Sequence, residues 1–301
     1  MKNTTKISTM KHSDINTTDL VSKVLIWGKG NAHIPHFIRQ SCDRKFTRRF
    51  CRINFGKAAK ATTVNGCLLN LIIGDYIDNE VAIKGVFETH ITKLICELAE
   101  NSEGSFIDAG CHIGYYSTLV GKIKPSCNIV AIDANPIMAE RCKENLKLNN
   151  IKGEVLNVGI GSEHATLNFR VSSNLPSLGT FGSSPLSKEN LNEMEINIVP
   201  FSDILNQTKG SIFLIKMDVE GFEYFALSSL DKSKVSRVEN IIFEFSEERL
   251  KQCSLRKNVF NEIEWIKCFD IFLLAVDGQI KRLDSLLMVP DGDQNIWLKR
   301  R

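Results

Sequence analysis

The chain has nine cysteines, and no two of them stand as C-x-x-C. Zinc ribbons and thioredoxin-type redox pairs need that spacing, so neither is expected and no metal site is predicted. The odd count also speaks against a closed disulfide framework. No apolar run approaches the roughly 18 residues of a membrane span. The polar start, Met1 to Asn16 with Lys2, Lys6 and Lys11, leads into no apolar segment of a secretory signal. Reduced thiols and these missing signals predict a cytoplasmic protein with no membrane span. A formal net charge of +3 is too small to argue for nucleic acid by itself.

What is present is ordinary for a globular chain: 43% apolar and 24% charged residues exclude a disordered one. A length of 301 residues suits one large α/β domain with extensions, or two small domains. Lys23 to Trp27 reads as a short strand that enters a turn, Gly28 to His33. No acid follows a second strand there, so the turn is read as part of an extension and not as a nucleotide site. Between Arg39 and Lys60 the chain is basic, with Phe46, Phe50 and Phe55 interleaved. A solvated face is the default, while an anionic acceptor or RNA is the functional alternative. Residues 1–62 are therefore expected to form a small N-terminal extension, and 63–301 the main domain.

Val64 to Ile73 reads as a strand or hairpin arm. From Phe87 the pattern changes, with Phe87, Ile91, Leu94, Ile95 and Leu98 forming one stripe of an amphipathic helix. Apolar runs and helical patterns then alternate. Strands are predicted at Ser105 to Asp108, Asn128 to Ile132, Glu154 to Gly159, Ser211 to Met217 and Ile241 to Phe245. Helices are predicted from Tyr115 to Lys124 and from Pro136 onward, the second capped by Asn135. Continuous apolar strands separated by helices imply an α/β fold whose mostly parallel sheet is buried on both faces. Between Glu163 and Pro200 two strands are expected to flank a mobile Ser/Gly-rich loop. Near the end, a helix from Val259 to Cys268 and antiparallel strands at Phe269 to Val276 and Asn295 to Lys299 are expected.

The motif Asp108-Ala-Gly110-Cys-His-Ile-Gly114 follows one strand and opens a helix. Gly110, without a Cβ, lets backbone approach a ligand, and Gly114 lets the helix sit close. Asp133 ends the next strand, where an acid accepts hydrogen bonds from ribose hydroxyls. His112 stands where a diphosphate-binding turn usually has a second glycine. Asp108 would repel phosphate but suits a sulfonium or an amino group. The residues therefore favour S-adenosylmethionine over a dinucleotide.

The chain resembles the FkbM family of methyltransferases from about Asp75 onward. The family pattern Asp-x-Gly-Ala-Asn-Ile-Gly is matched by Asp108 to Gly114, with Cys111-His112 replacing Ala-Asn. Glu-Pro-Asn-Pro is matched by Asp133-Ala134-Asn135-Pro136, with the carboxylate kept. Ile215-Lys216-Met-Asp218-Val-Glu220-Gly221-Phe-Glu223 matches a more specific run, and Ile241 to Glu244 the closing strand. Gly85-Val-Phe-Glu88 is similar to the family's Gly-x-x-Glu. The resemblance implies a class I methyltransferase Rossmann-like fold and S-adenosylmethionine as donor. It also implies O-methylation of a sugar, glycolipid or polyketide. Cofactor contacts are expected at Asp108, Gly110, Cys111, His112, Gly114, Asp133, Ala134 and Asn135. Asp218 is the first candidate for the base that an alcohol acceptor needs, followed by Glu220 and His112. Glu223 reads as a helix N-terminal charge, and Lys216 as either a snorkelling edge residue or a partner for Asp218 or a substrate group. The expected acceptor is a small molecule or glycan. An RNA methyltransferase using the basic arm, or a cofactor-binding protein without turnover, are the alternatives.

Overall fold

The computed structural model describes residues 55–172, 179–181 and 191–301. The turn at 28–33, the basic stretch as far as residue 54 and most of the Ser/Gly-rich loop lie outside the described residues. The described chain starts with a hairpin, β1 (Ala58–Thr62) and β2 (Leu68–Ile72), followed by α1 (Tyr76–Lys84) and α2 (Thr89–Asn101). Strands and helices then alternate: β3 (Ser105–Ala109), α3 (Tyr115–Ile123), β4 (Ile129–Ile132), α4 (Pro136–Leu148) and β5 (Glu154–Leu156). Four strands interrupt this rhythm: β6 (Gly159–Gly161), β7 (Ala165–Ser172), β8 (Gly179–Phe181) and β9 (Leu191–Pro200). It resumes with α5 (Phe201–Gln207), β10 (Ile212–Met217), α6 (Glu223–Ser228), α7 (Lys232–Val235), β11 (Asn240–Ser246) and α8 (Glu247–Gln252). Two short 3-10 turns lead to β12 (Phe269–Leu274), β13 (Ile280–Leu283) and β14 (Asp293–Arg300).

The main sheet has eight strands in the order β13-β12-β14-β11-β10-β3-β4-β5. From β5 to β11 neighbours are parallel, and β14 runs antiparallel between β11 and β12. This is the predicted α/β architecture with antiparallel C-terminal strands. Every residue of β3 and β10 is buried, which is why both read as near-continuous apolar runs. Alternation along each strand divides their side chains between two cores. Phe106, Leu214, Ile242 and Trp297 pack against α2 and α3. Ile107, Ile215, Met217 and Phe243 pack on the side of α5, α6 and α8. The chain progresses from β3 to β5 in one direction and from β10 to β11 in the other. The β3–β10 boundary is therefore the switch point, where open α/β sheets bind ligands outside the carboxyl ends.

Several elements depart from expectation. The β1–β2 hairpin runs across the boundary expected after residue 62. The predicted third strand, Glu154 to Gly159, is two strands: β5 stays in the main sheet, while β6 joins a separate sheet ordered β6-β9-β7-β8. The helix expected from Val259 to Cys268 is two 3-10 turns, Lys257–Glu262 and Glu264–Cys268, divided at Ile263.

Candidate active site

At the end of β3 the chain must reverse sharply, and both Gly110 and Gly114 take positive φ, 81° and 75°. Gly110 N–H and Cys111 N–H both donate to the Ile132 carbonyl at the end of β4, at 2.8 and 2.9 Å. A Cβ on Gly110 would overlap the Asp218 carbonyl oxygen. The close approach that requires glycine here is thus to the end of β10 and not to a ligand. At Gly114 a Cβ would lie 2.6 Å from Cys142 Sγ, so this glycine seats the start of α3 against α4.

Asp133 stands on the far side of the turn. Its carboxylate accepts the His112 N–H at 2.7 Å and the Asn135 N–H at 2.8 Å. A carboxylate has about four acceptor positions, so two remain for a ligand. Burial raises its pKa to about 7, with Asp108 and Asp218 adding to the rise and the two backbone N–H groups opposing it. Asn135 caps α4 by accepting the Ile137 N–H, with Pro136 at the first helical position, as its sequence predicts.

His112 takes the left-handed conformation, φ 50°, a conformation that costs energy in a non-glycine residue. Its Nε2 is 3.7 Å from Asp75 Oδ2, and its buried Nδ1 has no partner. Burial lowers its pKa to about 4 despite the neighbouring Asp75, so the ring is neutral at physiological pH.

At the end of β10, Asp218 donates its N–H to the Ala109 carbonyl at 2.8 Å, which joins the two strand ends. Its side chain is 37% exposed and faces the Lys216 Nζ at 3.8 Å. Glu220 follows with φ 56°. Glu223 is buried and accepts the Val219 N–H at 2.9 Å and the Gly221 N–H at 3.3 Å, closing the loop before α6. It is a backbone tie, more specific than the helix-dipole charge expected. Arg249 of α8 pairs with Glu220 at 2.5 Å and with Glu244 of β11 at 2.6 Å. Burial, then repulsion from Asp218, raises the Glu244 pKa to about 9, although Arg249 opposes this.

These strand ends enclose a cleft. Gly110, His112, Asp133, Ala134 and Asn135 line one side; Asp218, Val219, Glu220 and Phe222 line another. Val158 just before β6, Ile160 of β6 and Phe169 of β7 supply an apolar wall that sequence reasoning did not find. The alternation of Leu167, Phe169 and Val171 marks a strand, but not that Phe169 faces the cleft. The structure thus gathers seven of the predicted site residues: Gly110, His112, Asp133, Ala134, Asn135, Asp218 and Glu220. Asp108, Cys111 and Gly114 lie behind the lining. The Asp108 carboxylate is buried and accepts the Ser117 hydroxyl at 2.6 Å and its N–H at 3.0 Å. It anchors the start of α3, where the sequence had suggested contact with a cationic ligand. Cys111 packs with Cys142 beneath the turn.

Lys216 is a further difference. It lies on a central strand, 2% exposed, and not at an edge where it could snorkel. Among the described residues no helix is long and apolar enough to cross a membrane.

The model of the Methyltransferase FkbM domain matches residues 108–266, more than half of the chain. Methyltransferase 1 of Beauveria bassiana is 24% identical over 172 residues, 51% of this chain and 69% of that protein. Methyltransferase sdnD of Sordaria araneosa is 24% identical over 204 residues, 56% of this chain and 77% of that one. Among solved structures, the Pyrococcus abyssi tRNA (uracil-54, C5)-methyltransferase with S-adenosyl-L-homocysteine aligns with 81% of this chain and 44% of its own, at 11% identity and a TM-score of 0.43.

Proposed function

The chain belongs to the FkbM family of methyltransferases, and on that footing we propose that it methylates a hydroxyl oxygen of a sugar, glycolipid or other small molecule. S-adenosylmethionine is the methyl donor and supplies an electrophilic methyl group on a cationic sulfur. The residues present fit it. Three carboxylates, Asp133, Asp218 and Glu220, line the cleft, and no lysine or arginine does among the described residues. That charge pattern attracts a sulfonium and an ammonium and repels a diphosphate. It is the observation that carries the reading.

The chain's own groups then divide the work. Asp133 and the backbone at Gly110 and Asn135 would hold the nucleoside, with Phe169 and Ile160 against its apolar faces. Asp218, half-exposed at the strand end, is our first candidate to take the proton of an attacking hydroxyl, whose free pKa lies far above 7. Glu220 is the second candidate, although Arg249 already engages it. His112, neutral and unpaired at Nδ1, is the third. Catalysis of an in-line displacement rests mostly on positioning in a dry site.

Calorimetry with S-adenosylmethionine and with NAD, followed by transfer of labelled methyl to glycan and RNA pools, tests the reading. Label in glycan or small-molecule product is expected. Label confined to RNA would replace the acceptor class, and donor binding without any transfer would point to a binding protein. Saturable NAD binding at micromolar concentration would overturn the donor assignment.

A further inference from the structure

Behind Asp218 lies a second polar cluster, on the face of the sheet covered by α2 and α3. Register places Lys216 of β10 beside Asp108 of β3 and Ile242 of β11. Glu244, two residues beyond Ile242, is on that same face and pairs with Asn295 of β14. The Tyr116 ring, from α3, lies 5.9 Å from the Lys216 Nζ. The Tyr116 hydroxyl donates to Glu88 at 2.6 Å, and Asn295 Nδ2 reaches the other Glu88 oxygen at 3.4 Å. Glu88 is held at the start of α2 in the left-handed region, φ 38°, so its backbone is strained to present this carboxylate.

The cluster leaves hydrogen-bonding capacity unspent. An ammonium has three donors, yet the nearest carboxylate oxygen to Lys216 Nζ is Asp218 Oδ2 at 3.8 Å, beyond hydrogen-bond reach. Burial works against its charge, but Asp218, Glu88, Glu244 and Asp108 outweigh that and raise its pKa. Asn295 Oδ1 is buried without a partner, as is Nε2 of His90, the second residue of α2. Such groups are costly in a folded protein unless something else satisfies them.

We propose that Lys216, Glu88, Tyr116 and Asn295 form the acceptor subsite, and that it takes a neutral, polyhydroxylated molecule of the sugar type. This rests on the O-methylation reading above. The Lys216 ammonium donates to the oxygen that is methylated, while Asn295 pairs with a neighbouring hydroxyl. The acceptor oxygen forms its new bond to the methyl carbon as the carbon–sulfur bond breaks. The electron pair of that bond leaves on sulfur, and the hydroxyl proton passes to Asp218. A fixed ammonium beside the oxygen stabilises the charge that develops on it. Asp218, Glu88 and Asp108 already surround Lys216, so an anionic acceptor such as a phosphorylated glycan or RNA would meet repulsion. An alcohol with a single hydroxyl would leave Asn295 unsatisfied.

The test uses the full chain saturated with S-adenosylhomocysteine and labelled with 15N-lysine, titrated with methyl glycosides of glucose, galactose, mannose and rhamnose. The Lys216 resonance is assigned by its loss in Lys216→Gln. It is expected to move saturably with any glycoside that the enzyme methylates when given S-adenosylmethionine. On that glycoside Lys216→Gln should lose about 100-fold or more in turnover, with donor affinity within a few-fold as proof of folding. Lys216→Arg should recover part of the loss. Asn295→Ala should raise KM about tenfold, as for one lost hydrogen bond, and leave kcat nearly unchanged. If a glycoside is methylated but Lys216→Gln turns it over within a few-fold of wild type and the resonance stays still, the subsite is wrong and the O-methylation reading stands. If no glycoside is methylated and none moves the resonance, both fall.

Discussion

The cleft around Asp133 and the cluster around Lys216 meet at Asp218, and they are built by opposite rules. In the cleft, both Asp133 oxygens already accept backbone N–H groups, and strand-end carbonyls hold the glycine turn. In the cluster, buried Lys216 has no carboxylate oxygen within hydrogen-bond reach, and Asn295 Oδ1 and His90 Nε2 are buried atoms without a described partner. The first arrangement fixes its carboxylate and its turn without a ligand, leaving His112 Nδ1 unmet, so it can bind with little reorganisation. The second keeps a few unmet atoms, which the proposed acceptor would satisfy. A donor common to many methyltransferases suits the first, and a particular acceptor suits the second.

The comparison can be broken most severely at the seam. Gly110→Ala would force a Cβ into the Asp218 carbonyl and put alanine at φ 81°. Donor binding should disappear in calorimetry, with circular dichroism checking that the sheet survives. Asp218→Asn should lose about 100-fold or more in turnover while donor affinity holds. If affinity falls instead and turnover is near normal at saturating donor, Asp218 belongs to the cleft alone and the division fails. Asp133→Ala should weaken the donor Kd about 10- to 100-fold through two lost charge-assisted hydrogen bonds. An unchanged Kd in a folded variant would remove the ribose assignment.

The smallest effect sharpens the electrostatic side. Burial first, then Asp218, Glu223 and Glu220, raise the Glu244 pKa to about 9 in the fold against an ordinary 4.5, with Arg249 opposing. Between those values the folded state holds a proton that the unfolded chain releases, so stability falls as pH rises through that window. Glu244→Gln removes this titration. Its melting temperature should decline less than wild type from pH 6 to 9, by roughly 5–10 °C. Parallel melting curves would show that Glu244 does not titrate there.

The parallel strands were legible because burial on both faces left them nearly uniformly apolar, as in Ile212 to Met217. The Asp133 and Asn135 positions were legible because glycine, acid and capping residue each have a local backbone reason. Helix α1 was not, since one of its buried positions is Asp78, held by Arg141 of α4 through two contacts of 2.7 and 3.0 Å. A carboxylate facing inward hides the apolar stripe. Strand β13 exposes Ile280, Lys281 and Arg282 and buries only Leu283, so it shows no alternation. Lys216 misled for a related reason: a charge within an apolar run suggests an edge, and only its neighbours on α3 and β11 reveal a central position. Phe169 reached the cleft through the inserted sheet, a contact no local pattern encodes.

The bond from Asp218 N–H to the Ala109 carbonyl spans more than a hundred residues of chain. It sets the order in which synthesis can produce a working donor site. A nascent chain that has released its glycine motif and Asp133 still lacks the wall against which Gly110 packs, because β10 has yet to leave the ribosome. Until residue 218 emerges, the turn has the β4 carbonyl on one side and nothing on the other. If the donor sits in this cleft, its binding is expected only once translation has passed the insertion and the switch point has closed. A fragment ending before β10 would carry the Gly110 turn and Asp133 and is expected to bind no donor.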